Sequence, residues 1–227
     1  MRRVTPEAAK SAAARAALEL LPPSGVIGLG TGSTAKLFID GVAELVRGGR
    51  QLVGVPTSEQ SRRQAEALGI PLLGDEGPWS IDVTVDGADE VSPALDLIKG
   101  GGGCHAREKI VSAASKLNVI VVDESKLSET LGQRWAVPVE VLTFGHAATA
   151  RLLSGFGVVT PRKRGDAAWV TDAGNLIYDV AVGPIASPTA LERELSALPG
   201  VVDTGLFVGR ADRVLVAGAD GVRHLTR

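Results

Sequence analysis

The sequence predicts an α/β fold: a Rossmann-like, mostly parallel sheet with helices on both faces, plus a smaller α+β (ferredoxin-like) domain. Three observations predict it. Short apolar runs alternate with helix-like segments as far as about residue 130, the order that builds a parallel sheet wrapped on both faces. Beyond that point the order changes to helix, hairpin and helix, as in α+β domains. The last run, "RVLVAGADGVRHLTR" (213–227), returns to strand character and is assigned back to the first sheet. The domains are therefore read as 1–131 with 207–227, and 132–206.

Bulk properties narrow the class. The chain has 227 residues, 44% hydrophobic and 22% charged, which is globular composition with enough length to bury a real core. A net charge of -2 without a long basic block argues against nucleic acid as the main partner. The single cysteine, Cys104, rules out an internal disulfide and fits a reducing compartment. No stretch reaches the roughly 18 apolar residues of a membrane span. "MRRVTPEAAKSAAARAALELL" opens with two arginines near its start but has no long apolar core, so it reads as an Ala-rich amphipathic helix and not as a signal peptide. The expected location is cytoplasmic.

Element by element, "GVIGLG" (25–30) is a candidate buried strand and "STAKLFIDGVAELVRGG" (33–49) the helix after it. "LVGVP" (52–56) is a second strand, and "SEQSRRQAEALG" (58–69) a helix closed by Gly69 in the C′ position. "IDVTVDGADE" (81–90) is a strand running into an acidic turn. "AREKIVSAASKL" (106–117) is helical, and "NVIVVDESK" (118–126) is a strand with polar residues at its end. After "RWAVPVEVLTF" (134–144), "HAATARLLSGFG" (146–157) reads as a helix. "AWVTDAGNLIYDV" (168–180) reads as a hairpin turning at Asp172–Asn175, and "TALERELSALPG" (189–200) as a further helix. The polar clusters of the first part fall at the carboxyl ends of its strands, where open α/β sheets bind ligands.

Three of those clusters carry chemistry. "GLGTGSTA" (28–35) lacks the third glycine of a dinucleotide fingerprint, Ser33 standing in its place, and no Gly-Lys-Ser/Thr follows for a Walker loop. What remains is a small-residue loop with the hydroxyls of Thr31, Ser33 and Thr34, suited to a single phosphate. A tight turn with Ser33 or Thr34 as N-cap fits it equally well. "DGADE" (86–90) brings Asp86, Asp89 and Glu90 together. Such carboxylates can act as acid or base or hold Mg²⁺, though a solvated turn around Gly87 is the commoner arrangement. In "IKGGGGCHAREKI" (98–110), Lys99 precedes four glycines and Glu108 follows in the first helical turn. The amides of Gly100–Gly103 can receive an anionic oxygen, with Lys99 beside it and Glu108 as a base. A flexible loop before a capped helix is the alternative. Cys104 has no histidine relay, since the neighbouring His105 would not share its helix face, and reads as a small filler.

Together, "GLGTGSTA", "DGADE", "KGGGG" with "REKI", "DESKL" (123–127) and the tail "PGVVDTGLF" (199–207) with "RVLVAGADG" resemble the ribose-5-phosphate isomerase type A family over nearly the whole chain. The resemblance implies an aldose–ketose isomerase that interconverts D-ribose 5-phosphate and D-ribulose 5-phosphate in the non-oxidative pentose phosphate pathway. It implies an enediol(ate) intermediate, no metal or organic cofactor, and a homodimer or homotetramer. It makes Glu108 the general base, with Lys99, Asp86 and Asp89 as further catalytic groups. The implied substrate-binding residues are Lys10, Thr31, Gly32, Ser33, Thr34, Asp86, Gly87, Ala88, Asp89, Lys99, Gly100, Gly101, Gly102 and Lys126. Cys104 and His105 fall where the family varies. A sugar-phosphate sensor without turnover, and a related hydrolase or deaminase, are the competing readings; the presence of both Glu108 and Lys99 favours the isomerase.

Overall fold

The computed structural model describes residues 5–227; Arg2 and Arg3, two of the three arginines of the expected amphipathic helix, lie outside them, and Arg15 lies in the last turn of the first helix. In chain order the elements are α1 (Pro6–Leu18), β1 (Ser24–Leu29), α2 (Ser33–Arg47), β2 (Gln51–Pro56), α3 (Glu59–Ala67), β3 (Val83–Asp86), β4 (Glu90–Val91) and β5 (Leu97–Ile98). Next come α4 (His105–Ala113), β6 (Asn118–Asp123), a 3-10 turn (Glu124–Lys126), β7 (Val137–Val141), α5 (His146–Leu153) and β8 (Val158–Pro161). The chain closes with β9 (Lys163–Arg164), β10 (Ala167–Ala168), β11 (Leu176–Ala181), α6 (Pro188–Ser196), β12 (Val201–Thr204), β13 (Leu206–Phe207), β14 (Arg213–Gly218) and β15 (Gly221–Thr226).

Two compact units result: residues 1–88, 107–126 and 210–227 form the first, 89–106 and 127–209 the second. The first holds a six-stranded sheet in the order β15-β14-β6-β3-β1-β2. All its neighbours are parallel except β15, which pairs antiparallel with β14. Alternation along β1 and β2 sends side chains to opposite faces. Ile27, Leu29 and Leu52 pack with Ala13, Ala17, Phe38 and Val42 of α1 and α2. Val26 and Val55 pack instead with Val111 of α4. Both faces are thus covered by helices, as parallel sheets require. Alanines along α1 let it lie close, and Gly41 in mid-α2 makes room for Leu18, whose side chain a Cβ there would strike.

The second unit holds a four-stranded antiparallel sheet in the order β12-β7-β11-β8. Its chain order is β7-α5-β8-β11-α6-β12, the ferredoxin-like βαββαβ arrangement. Its core joins Val137, Val139 and Val141 of β7 to Leu153 of α5 and Leu195 of α6.

Two expectations need correction. Residues 89–106 group with the second unit, not with the continuous first domain read from sequence, because β4 and β5 pair with each other and β5 pairs with β13. The 168–180 hairpin shrinks to a turn: the Thr171 N–H donates to the Asn175 carbonyl at 2.9 Å, and the two arms share only the Val170–Leu176 bridge. The reason is that β11 already has β7 and β8 on its two edges, while the segment before the turn folds back through β10 onto β9. No helix among the described residues is long and apolar enough to cross a membrane.

Candidate active site

In the first unit, the loop after β1 leads into α2. Gly32 is the N-cap of that helix at φ 114°, a backbone shape that favours glycine, and no side chain caps the helix. Neither Ser33 nor Thr34 is therefore the cap, and the amides at the start of a 15-residue helix face outward, an arrangement that suits an anion. Thr31 is anchored inward. Its hydroxyl donates to Ser58 Oγ at 2.7 Å and lies 2.8 Å from Thr57 Oγ1 and 3.2 Å from Ser61 Oγ. Ser61 in turn donates to the Gly30 carbonyl at 2.6 Å. Thr57, Ser58 and Ser61 are buried. The sequence reading missed this hydroxyl group. Its signal is "PTSEQS" (56–61) at the carboxyl end of β2, three hydroxyl residues within six.

Asp86 ends β3 and is 3% exposed. Its Oδ1 accepts the Thr31 amide at 3.0 Å and the Gly87 amide at 2.8 Å, so it fastens the β1 loop from 55 residues away in the chain. Glu108 is buried, in the first turn of α4. Its neighbour Arg107 donates to Glu59 of α3 at 3.0 Å, and that hydrogen bond holds the Glu59 carboxyl below its ordinary range. The same pair ties the first turn of α4 to α3. Lys10 is half-buried on α1, and Lys126 half-buried in the turn after β6.

In the second unit, Lys99 is 4% exposed, with Nζ 5.5 Å from the Phe207 ring centroid. Asp89 takes the Gly101 amide on Oδ2 at 2.6 Å. The Gly103 amide closes a turn on the Gly100 carbonyl at 2.9 Å. These bonds engage the Gly101 and Gly103 amides within the protein. A methyl added at Gly100 would sit 2.7 Å from His105 Nδ1, one at Gly101 2.6 Å from Asp89 Oδ1, and one at Gly103 2.5 Å from Trp169 Nε1. Gly100 and Gly103 also have φ of 101° and 77°. The protein's own side chains thus fill the space beside three of the four glycines, and Gly102 is the exposed one. His105 is fully buried against the run, and half-buried Cys104 lies within 3.5 Å of the Gly102 carbonyl.

The acidic turn therefore fastens both glycine segments, Asp86 reaching back to the β1 loop and Asp89 forward to Gly101. Among the described residues no group of three or more His, Cys, Asp or Glu side chains is placed to hold a metal ion.

A mostly parallel sheet flanked by helices, with an uncapped helix start after β1, defines the class: an α/β protein of the Rossmann-like type, whose ligands bind beyond the carboxyl ends of its strands. The family model for ribose 5-phosphate isomerase A (phosphoriboisomerase A) matches residues 53–221. Ribose-5-phosphate isomerase A of Chloroflexus aurantiacus is 48% identical over 230 residues, covering 100% of this chain and 96% of that protein. The Gloeobacter violaceus protein of the same name is 50% identical over 220 residues, covering 96% and 95%. The solved ribose 5-phosphate isomerase A of Methanocaldococcus jannaschii superposes with a TM-score of 0.93 at 39% identity, over 98% of this chain and 100% of that one. A D-ribose-5-phosphate isomerase solved in complex with phospho-erythronic acid gives 0.95 at 39% identity, over 99% and 100%. The chain belongs to the ribose-5-phosphate isomerase A family.

Proposed function

We propose that this chain interconverts D-ribose 5-phosphate and D-ribulose 5-phosphate, with Glu108 as the base that carries the proton. The observation behind the reading is end-to-end similarity to proteins of that activity together with a buried glutamate in the first turn of α4. In the aldose, Glu108 takes the proton from C2, and the C2–H electrons form a C1=C2 double bond as negative charge moves to O1. The same carboxyl returns the proton to C1, and the O2 proton moves to O1, leaving the ketone at C2. Lys99 and the glycine amides neutralise the developing oxygen charge. Asp86 and Asp89 assist ring opening and the hydroxyl proton transfers, besides fixing the two loops. The phosphate is received at Gly32–Thr34 and the start of α2, with Lys10 and Lys126 as basic partners.

The same reading includes a cytoplasmic, homodimeric or homotetrameric enzyme that needs no metal or organic cofactor. Exposed apolar side chains on the second unit support self-association, above all Phe144 at 93% exposure with Leu142 and Val202. Light scattering on the purified protein measures the oligomer.

The test of function is ketose formation from D-ribose 5-phosphate in the presence of EDTA, with wild type and Glu108→Gln. Turnover is expected for the wild type, and kcat is expected to fall about 10²–10⁴-fold for Glu108→Gln. Near-normal kcat in the variant would remove Glu108 as the base.

A further inference from the structure

Four glycines offer no side chains to fix their peptide planes, so the orientation of the run must come from groups outside it. Within the second unit a charged clamp holds it. Arg162 follows β8, and Asp179 lies on β11. Arg162 Nε donates to Asp179 Oδ2 at 3.0 Å and Nη2 donates to Oδ1, a bidentate pair. The third arm, Nη1, donates to the Gly100 carbonyl and reaches the Gly101 carbonyl at 3.4 Å. The Arg162 backbone is fixed as well: its N–H bonds to the Ile177 carbonyl, and its carbonyl accepts the Trp169 N–H, each at 2.9 Å. The Arg162 side chain is only 12% exposed.

A trans peptide points its C=O and its N–H in opposite directions. Drawing the Gly100 and Gly101 carbonyls onto Arg162 therefore turns the next two amides away from it. The first of these, Gly101 N–H, goes to Asp89. The second is the amide of Gly102, the exposed member of the run. A cation on the carbonyl also polarises the peptide and makes its N–H a stronger donor.

We infer that Arg162, oriented by Asp179, is a positioning residue for the isomerisation, setting the peptide planes of the glycine run so that the Gly102 amide meets the enediolate oxygen. The inference rests on the reading above that the glycine amides receive that charge. Neither residue touches substrate in this account. Their contribution belongs to the transition state, so it falls on kcat and not on KM.

The experiment is steady-state kinetics on full-length Arg162→Gln and Asp179→Asn, with thermal melts and with inhibition by phospho-erythronic acid, whose carboxylate presents two anionic oxygens on a phosphorylated sugar chain. For Arg162→Gln, kcat is expected to fall about 100-fold, the scale of a small misplacement in an active site. For Asp179→Asn, which keeps the side-chain shape, the expected fall is about 10-fold. KM for D-ribose 5-phosphate should change less than about 3-fold while the inhibition constant rises in step with the kcat loss. If Arg162→Gln does not fold, Asp179→Asn decides. A folded variant with kcat and inhibition constant within about twofold of wild type overturns the inference, as does a rise in KM at unchanged kcat. Glu108→Gln in the same assay separates the two readings. Its inactivity beside fully active clamp variants removes only the clamp, whereas its full activity removes the base assignment.

Discussion

The loop after β1 and the run after β5 are both glycine-rich, and in each an aspartate of the acidic turn takes a backbone amide. Their carbonyls are held by different chemistry. In the first, the Gly30 carbonyl accepts a neutral hydroxyl from Ser61, inside a group of four hydroxyl side chains of which Thr57, Ser58 and Ser61 are buried and Thr31 half-buried. In the second, the Gly100 carbonyl accepts a guanidinium that is itself paired with a carboxylate. Glycine differs too. A Cβ at Gly32 meets nothing within 4 Å, so only its φ of 114° asks for glycine there. Gly103 has both a φ of 77° and the Trp169 ring against it. Close packing occurs in both, since a Cβ at Gly30 would strike Asp86 Oδ1, so what separates them is that neutral hydroxyls anchor the first loop and a charged pair anchors the second. Removing a buried hydroxyl anchor behind the first should mainly cost stability, and removing the charged anchor of the second should also alter catalysis.

That contrast can be tested in descending order of effect, by urea denaturation alongside kcat. Gly103→Ala combines a forbidden backbone shape with a steric clash and should cost about 2–5 kcal/mol and lower kcat. Gly32→Ala carries the backbone term alone, about 1–3 kcal/mol. If the two cost the same, packing against Trp169 does not distinguish the loops. Ser61→Ala removes the donor to the Gly30 carbonyl and should cost about 1–2 kcal/mol, with kcat largely kept. A kcat loss as deep as that of Arg162→Gln would erase the distinction.

The smallest effect belongs to a pair that touches neither loop. Asp82 accepts a hydrogen bond from Lys116 at 2.8 Å and from the Val26 amide at 3.0 Å, and these hold its carboxyl below the ordinary range. A lowered carboxyl pKa stabilises the fold above the unfolded value, about 3.9, and that stabilisation is lost as pH falls through the lower folded value. Asp82→Asn should therefore cost within about 1 kcal/mol near pH 7, because the pair is partly exposed, and the difference from wild type should shrink below about pH 4. A difference that grows on acidification would contradict the assignment.

Much of this molecule is legible in its sequence where the cause is local. β1, α2, β2 and α3 follow from apolar runs, from the hydroxyl of Ser58, which caps α3, and from Gly69 at its end. Lys99, the glycines and Glu108 stand out because they are neighbours in the chain. What escaped notice is long-range. The pairing of Leu97 with Phe207 draws residues 89–106 into the second unit and has no local signature. Arg162 meets Gly100 across 62 residues, from a stretch between the expected helix at 146–157 and the expected hairpin at 168–180 that carries no local signal. The glycines illustrate a further limit: their spacing signals a need for bare backbone, but only the structure shows that His105, Asp89 and Trp169 occupy the vacated room.

The parallel sheet of the first unit is completed from a distance, since β6 lies between β3 and a β14 that begins 90 residues after β6 ends. During vectorial synthesis the intervening antiparallel sheet, confined to residues 137–204, has all its strands before β14 is made. Until then β6 remains an open edge of Val119, Ile120, Val121 and Val122, the kind of apolar strand that recruits foreign partners. Nascent-chain solubility, more than the stability of the finished enzyme, is therefore where substitutions in the closing strands should first be felt.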